Sequence, residues 1–130
     1  MVAAILSAAV LMSGSATGYH PCDGSTSVMA SGKQGRVGYV ANNTLKFGTW
    51  IEMRRPRTVM GRKWFQVQDR GGPGFVLDFW SPSCQWMNSW GRRQVSFRTV
   101  PSRELYRGKP MRGWKIKPGA KGARLVWRAR

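Results

Sequence analysis

Residues 65–80 read FQVQDRGGPGFVLDFW, two apolar runs on either side of a glycine-rich turn. Short runs rich in Val and Phe, bounded by Gly and Pro, are typical of β-strands. Asp69 closes the first run and Asp78 closes the second, so the pattern predicts a hairpin that brings both carboxylates to one end of a sheet. The chain has five Asp and Glu against 22 Lys and Arg. Two carboxylates placed together on a cationic surface indicate acid chemistry or recognition of a polar ligand rather than core packing.

Short apolar or alternating runs elsewhere also predict strands, and a helix is predicted only at residues 84–90. There Ser81 suits the N-cap, Pro82 suits the first helical position and Gly91 ends the helix. The predicted strands are residues 16–19, 36–41, 49–53, 64–68, 74–78 and 94–100, with edge strands at 113–116 and 124–127. Many short strands with one short helix indicate a small closed β-barrel, placed over residues 16–100.

The N-terminal segment, residues 1–15, differs in composition from this domain. An apolar run over residues 2–12 is followed by small residues, as in the hydrophobic region and cleavage zone of a signal peptide, although a basic start is missing. Cleavage is predicted after Ser15 or Ala16. The alternative is an N-terminal helix or anchor; the run is short for a stable membrane span.

The C-terminal extension, residues 101–130, carries ten Lys or Arg and one acid, and the whole chain has a formal net charge of +17. A surface of this kind attracts polyanions such as nucleic acid, acidic lipid or an anionic cell-wall polymer. Trp114 and Trp127 lie among these cations, a pattern that could bind nucleic acid by stacking and phosphate contacts. A solubilising surface without a specific partner is the alternative interpretation.

The two cysteines, Cys22 and Cys84, predict one disulfide if the chain is exported. Two unpaired buried thiols in a reducing cell are the alternative. The sequence has one histidine, His20, and no CxxC motif, so neither a metal site nor a cofactor is predicted.

Short motifs follow one another in a recognisable order between residues 16 and 95. They are ATGY at 16–19, VA at 40–41 with LKFGT at 45–49, DRGG at 69–72, VLDF at 76–79 and WGRRQV at 90–95. In this order they resemble the 3D domain, a double-psi β-barrel family named for its three aspartates and shared with the MltA class of lytic transglycosylases. Rare lipoprotein A and the expansins are more distantly similar. The resemblance implies an all-β fold: a small six-stranded double-psi β-barrel with one short helix and a basic C-terminal extension.

The sequence departs from the pattern of this family at two places. The first of the three aspartates is missing, and Ala41 or Asn42 lies where it would fall. The turn between the other two aspartates is shorter than in the family. The resemblance to lytic transglycosylases nevertheless assigns the acid to the last aspartate, Asp78.

The resemblance implies that Asp78 is a combined acid and base, with Asp69 as the polar partner that orients it or a substrate hydroxyl. An acid at neutral pH needs a raised pKa, which burial beside Phe79 and Trp80 could supply and which Arg70 would oppose. Alternatively, both aspartates bond backbone amides in a turn, as turn aspartates often do. The candidate substrate-binding residues are Tyr19, Thr49, Arg70, Gly71, Gly72 and Trp80. Tyr19 resembles a groove tyrosine of the related barrels, and Trp80, from its place beside Asp78 in the sequence, could stack on a sugar ring.

The expected function is that of an exported, wall-associated lytic transglycosylase-like protein that cleaves peptidoglycan glycan strands in the periplasm or outside the cell. Two alternatives stay open at this point. One is a non-catalytic barrel that binds cell-wall glycan or another anionic wall polymer. The other is a basic structural protein that binds polyanions, such as a component of a phage virion, with nucleic acid held through the basic tail. No stable membrane span is expected.

Overall fold

The computed structural model describes residues 8–24, 26–111, 115–116 and 125–126. These residues form mainly strands, with one α-helix and two short 3-10 turns, so the predicted all-β class is confirmed. The elements are β1 (Leu11–Tyr19), β2 (Tyr39–Ala41), β3 (Trp50–Arg55), β4 (Trp64–Asp69), β5 (Leu77–Trp80), α1 (Cys84–Trp90), β6 (Arg93–Thr99), β7 (Leu105–Tyr106), β8 (Lys109–Pro110), β9 (Lys115–Ile116) and β10 (Leu125–Val126). Within the described ranges, no helix is long and apolar enough to cross a membrane.

Six strands form a closed ring in the order β1-β5-β2-β4-β3-β6, and β6 pairs with β1 to complete it. The β1–β5 and β2–β4 pairs are parallel, whereas the other pairs are antiparallel. The predicted hairpin between β4 and β5 is therefore wrong, because β2 lies between these strands. All three residues of β2 are buried, so this strand is stable only with a neighbour on each side.

The interior of the ring holds one main apolar cluster, built from alternate residues of the strands. In β3 and β4, Ile51, Met53, Phe65 and Val67 point inward and are at most 2% exposed. Each such side chain contributes about 1.5–3 kcal/mol of burial free energy. This alternation is the period-two pattern visible in the sequence, and it turns the intervening polar residues to the outside.

The first strand begins at Leu11, five residues before the domain boundary predicted at residue 16. Residues 11–16 pair with β6, which closes the ring. The small residues interpreted as a cleavage zone have a packing role, since a Cβ added at Gly14 would lie 3.0 Å from the Cβ of Val76. Cleavage after Ser15 or Ala16 would remove most of the β1–β6 ladder. The signal peptide remains a prediction, and residues 1–7 lie outside the described part of the chain.

The helix α1 has the predicted bounds, but its N-cap is Ser83 rather than Ser81. The Ser83 Oγ accepts a hydrogen bond from the Trp86 amide at 3.1 Å, and Gly91 ends the helix as expected. Ser81 is fully buried and donates instead to the Phe79 carbonyl oxygen at 3.1 Å. A disulfide joins Cys84, the first helical residue, to Cys22, with the two Cα atoms 6.3 Å apart, so the predicted pairing is confirmed.

The basic extension contains two small antiparallel pairs, β7 with β8 and β9 with β10. Strands β9 and β10 fall within the predicted edge strands. Trp114, Trp127 and most other residues after 111 lie outside the described part of the chain, and with them the predicted nucleic-acid contacts of the tail.

Candidate functional site

A cleft of about 470 Å³ lies where β1, β2, β4 and β5 meet the loop that follows β4. This volume is within the range of pockets that bind small ligands or sugar units. Its lining consists of Thr17, Gly18, Tyr19, Asp23, Thr26, Ala41, Asp69, Arg70, Gly71, Gly72, Phe75 and Asp78. Although the predicted hairpin is wrong, the ring brings Asp69 and Asp78 to one cleft, together with Tyr19 and the Arg70–Gly72 turn.

Asp78 lies on β5, between its two neighbouring strands, with Thr17 of β1 on one side and Ala41 of β2 on the other. Its carboxylate accepts a hydrogen bond from the Thr17 hydroxyl at 3.0 Å. A Cβ added at Gly71 would be 3.9 Å from the Asp78 Cβ, so the glycine-rich turn passes close to this side chain. Asp78 is thus held half-buried in the cleft.

The pKa of Asp78 is raised to about 6, mainly by burial and also by the charges of Asp23 and Asp69, against the opposing effect of the Thr17 hydrogen bond. This is the direction that an acid near neutral pH requires. Phe79, which the sequence suggested as a desolvating neighbour, is fully buried in the main core and does not line the cleft. Neighbouring residues of a strand point to opposite faces, which explains the difference.

Asp69 has a different environment, because three donors converge on its carboxylate. The Tyr19 hydroxyl donates to Oδ2 at 2.7 Å, while the backbone amides of Ala30 and Arg70 donate to Oδ1 at 2.8 and 2.9 Å. Burial and this hydrogen bond raise the pKa of Tyr19, so the phenol keeps its proton and remains a donor. The interpretation that the aspartates bond backbone amides thus holds for Asp69. For Asp78, the one hydrogen bond to its carboxylate within the described residues comes from a side chain.

Arg70 borders the cleft but is directed away from both carboxylates. Its Nη1 donates to the carbonyl oxygens of Asn42 and Leu45 at 2.6 and 2.7 Å, and its guanidinium lies 4.0 Å from the ring centre of Phe47. Among the described residues it forms no ion pair with an acid. The opposition between Arg70 and a raised pKa, expected from the sequence, is avoided in this way.

Asn42, one of the two residues expected at the place of the missing aspartate (the other is Ala41), is a structural residue that is 4% exposed. Its Oδ1 accepts hydrogen bonds from the amides of Thr44 and Leu45 at 2.9 and 2.8 Å, and its Nδ2 donates to the Val76 carbonyl oxygen at 2.9 Å. A carboxylate could accept the first two bonds but could not donate the third. The amide therefore fits this position better than a carboxylate would.

Two predicted substrate residues lie away from the cleft. Trp80 is 8% exposed and packs with Met29 and Tyr39, with the Tyr19 ring edge-on to it at 5.4 Å. The Trp80 ring is therefore packed within the fold and does not line the cleft, and its stacking on a sugar ring stays a prediction. Thr49 donates its amide to the Lys46 carbonyl oxygen at 3.1 Å and secures the loop before β3, and it is not part of the cleft lining.

Sequence analysis missed Thr17, Asp23 and Phe75, which also line the cleft. Asp23 makes it a site with three of the five carboxylates of the chain. A signal for Thr17 existed, because it lies within the predicted first strand two residues before Tyr19 and therefore on the same face of the strand. Its pairing with Asp78 depends on the parallel β1–β5 contact, which local sequence does not encode.

One group of potential metal ligands occurs among the described residues, formed by His20, Cys22 and Cys84 with donor atoms within 4.8 Å of one another. The two sulfur atoms are bonded to each other, so they do not offer thiolates to a metal. No metal is assigned to this group.

Comparison with known proteins gives no further identification. No protein-family model matches the sequence, and no curated protein matches it.

Proposed function

We propose that this chain is a lytic transglycosylase-like protein that cleaves peptidoglycan glycan strands, with Asp78 as its single acid and base. The observation that supports this most strongly is the contrast between two aspartates in one cleft. Asp69 accepts three hydrogen bonds, whereas Asp78 is half-buried with one donor and a pKa raised to about 6. Asp78 is therefore our candidate for proton transfer.

The fold we propose is a double-psi β-barrel. The closed six-strand ring supports it, as do the two parallel pairs within a mainly antiparallel sheet. The order of the motifs along the chain also agrees, since ATGY, DRGG and VLDF all contribute residues to the same cleft. In this proposal the protein is exported to the cell wall.

The proposed reaction uses the carboxyl group of Asp78 twice, first as acid and then as base. The protonated Asp78 gives its proton to the glycosidic oxygen as the bond from that oxygen to the muramic C1 breaks. The resulting carboxylate then takes the proton of the muramic C6 hydroxyl, and the C6 oxygen bonds to C1 to form a 1,6-anhydro ring. Atoms balance without water. A hydrolase would normally need a second carboxylate to act as base or nucleophile, whereas this reaction requires neither Asp69, which already accepts three hydrogen bonds, nor Asp23.

The raised pKa sets the pH dependence of this reaction. With a pKa of about 6, the acid form of Asp78 makes up about a tenth of the molecules at pH 7. The rate should therefore be highest below pH 6 and should fall about tenfold for each further pH unit above it. Asp23→Asn removes a charge that raises this pKa, so it should shift the profile to lower pH and leave the products unchanged.

The direct test is digestion of purified peptidoglycan at pH 5.5, with the products identified by mass spectrometry. We expect anhydro-muropeptides from the wild type and from Asp23→Asn, and none from Asp78→Asn. Reducing-end products from the wild type would contradict the single-acid reaction and would indicate a hydrolase.

A second candidate is a non-catalytic barrel that binds wall glycan. The specific observation in its favour is Asn42, whose buried amide replaces one aspartate of the family pattern with a structural group. Sedimentation of the wild type with intact peptidoglycan, without release of any product, would favour this candidate over the enzyme.

A further inference from the structure

A second groove, of about 600 Å³, lies over the stretch where β6 pairs with the start of β1 and the end of β3. Three arginines line it, Arg54, Arg55 and Arg57, all within four positions of the chain. None of the five carboxylates of the chain borders this groove. The groove is therefore strongly cationic on one side and has no acid to balance it.

The three arginines are available to an external ligand. All three are exposed, and within the described residues none of their guanidinium groups forms a hydrogen bond or an ion pair. The acid nearest in sequence, Glu52, is already paired with Arg98 and Lys63. Three like charges placed close together repel one another, so a bound anion would stabilise this loop.

The strands fix where these arginines lie. The pairing of β3 with β6 shifts by one position between Met53 and Arg55, which is a β-bulge at Arg54. A bulge bends a strand and changes the direction of its side chains. Ser13 and Ser96, which pair across β1 and β6, also line the groove and add hydroxyl groups beside the arginines.

This groove is separate from the acid cleft. Residues 11–13 of β1 line the groove, whereas residues 17–19 of the same strand line the cleft. At about 3.3 Å per residue, the centres of these two segments are about 20 Å apart along the strand. Ligand binding in this groove would therefore be independent of catalysis by Asp78.

We propose that the arginine groove binds a phosphodiester-linked polyol chain, an anionic polymer with phosphates but no bases. Arginine pairs with phosphate through two parallel hydrogen bonds, and adjacent arginines suit a ligand with repeated anions. The serine hydroxyls can bond polyol hydroxyls, and Leu11, which is 72% exposed, offers an aliphatic surface to the carbon chain. Among the described residues of the lining, Phe97 is the one aromatic residue and it is 0% exposed, so this part of the groove offers no aromatic ring on which a base could stack.

The test measures binding of a fluorescent poly(glycerol phosphate) chain to the full protein by anisotropy at 50 mM salt. The variant Arg54→Gln/Arg55→Gln/Arg57→Gln removes the groove cations. A matched control, Lys33→Gln/Lys46→Gln/Arg103→Gln, removes the same charge from exposed positions elsewhere. An exposed ion pair changes affinity roughly two- to fivefold, so the groove variant should bind about ten- to a hundredfold more weakly and the control within about threefold of the wild type.

Two further measurements test whether the arginines bind phosphate in a defined geometry. The logarithm of the wild-type affinity should fall against the logarithm of salt concentration with a slope of about −2, as expected for three phosphates on a single chain. Replacing the three arginines with lysines keeps the charge but removes the paired hydrogen bonds, and should weaken binding severalfold.

Several outcomes would overturn the proposal. Equal losses in the groove variant and the control would show that net charge alone binds the polymer. Equal binding of polyglutamate would exclude phosphate recognition, and tighter binding of an oligonucleotide would assign the groove to nucleic acid. Each variant should have the same Tm as the wild type, which would show that a loss of binding is not due to misfolding.

Discussion

Replacing Asp78 with asparagine should stabilise the protein at neutral pH and leave its stability unchanged in acid. The side chain keeps its shape and can still accept the Thr17 hydrogen bond, but it cannot ionise. In the wild type, the pKa of Asp78 lies at about 6, above its ordinary value of 3.8. A carboxyl with a raised pKa favours folding below pH 4, and this contribution is lost as the pH rises through 6.

The size of the effect follows from the pKa and from burial. A tenfold change in an equilibrium is about 1.4 kcal/mol, so ionising a carboxyl whose pKa has risen from 3.8 to about 6 costs up to about 3 kcal/mol. Asp78 is only half-buried, and water screens part of this cost. We therefore expect Asp78→Asn to raise the free energy of unfolding by about 1–2 kcal/mol at pH 7.5, which corresponds to an increase in Tm of roughly 5 °C.

The assay is urea unfolding of both proteins at pH 4.0 and pH 7.5, followed by tryptophan fluorescence. Asp69→Asn is the matched variant, since it makes the same chemical change in the same cleft. Its carboxylate accepts three hydrogen bonds, and an amide cannot accept all of them, so it should be destabilising by about 1–3 kcal/mol at pH 7.5. The reasoning is refuted if Asp78→Asn destabilises the protein equally at both pH values, because burial of an ionisable group would then not be the cause.

Two further substitutions test the fold around the cleft. Asn42→Asp should lower the free energy of unfolding by about 1–3 kcal/mol in urea denaturation at pH 7.5, because a carboxylate cannot donate to the Val76 carbonyl oxygen; an unchanged midpoint would contradict the bonding of Asn42. Gly35→Ala should cost about 1–3 kcal/mol and alter the near-ultraviolet circular dichroism, because a Cβ there would overlap the Trp80 ring. Gly72→Ala is its control: the nearest atom to an added Cβ is 3.9 Å away, so its stability should stay within about 0.5 kcal/mol of the wild type.

Local sequence was sufficient to predict most of the individual elements. The alternation of Phe65 and Val67 with polar residues predicted β4, and Gly91 predicted the end of α1. These features depend on backbone preferences and on which face of a strand is apolar, and both can be seen within a few residues of sequence.

The pairing of the strands could not be predicted in the same way. The short segment Tyr39–Ala41 lies between β4 and β5, and all three of its residues are buried there. No local pattern in the sequence distinguishes it from an edge strand. The role of Trp80 depends on the same long-range packing. Its ring fills the space beside Gly35, 45 positions earlier in the sequence, and its closeness to Asp78 in the sequence does not reveal this contact.

The raised pKa of Asp78 in a chain with a net charge of +17 has a structural explanation. Cations near a carboxyl lower its pKa, and Arg70 is the cation that the sequence places closest to the aspartates. The carbonyl oxygens of Asn42 and Leu45 hold its guanidinium on the far side of the turn. More distant surface cations act through water and salt, which screen charges beyond about 8 Å at physiological ionic strength. Burial and the charges of Asp23 and Asp69 therefore dominate, so the protein combines a cationic surface with one carboxyl whose pKa is raised to about 6.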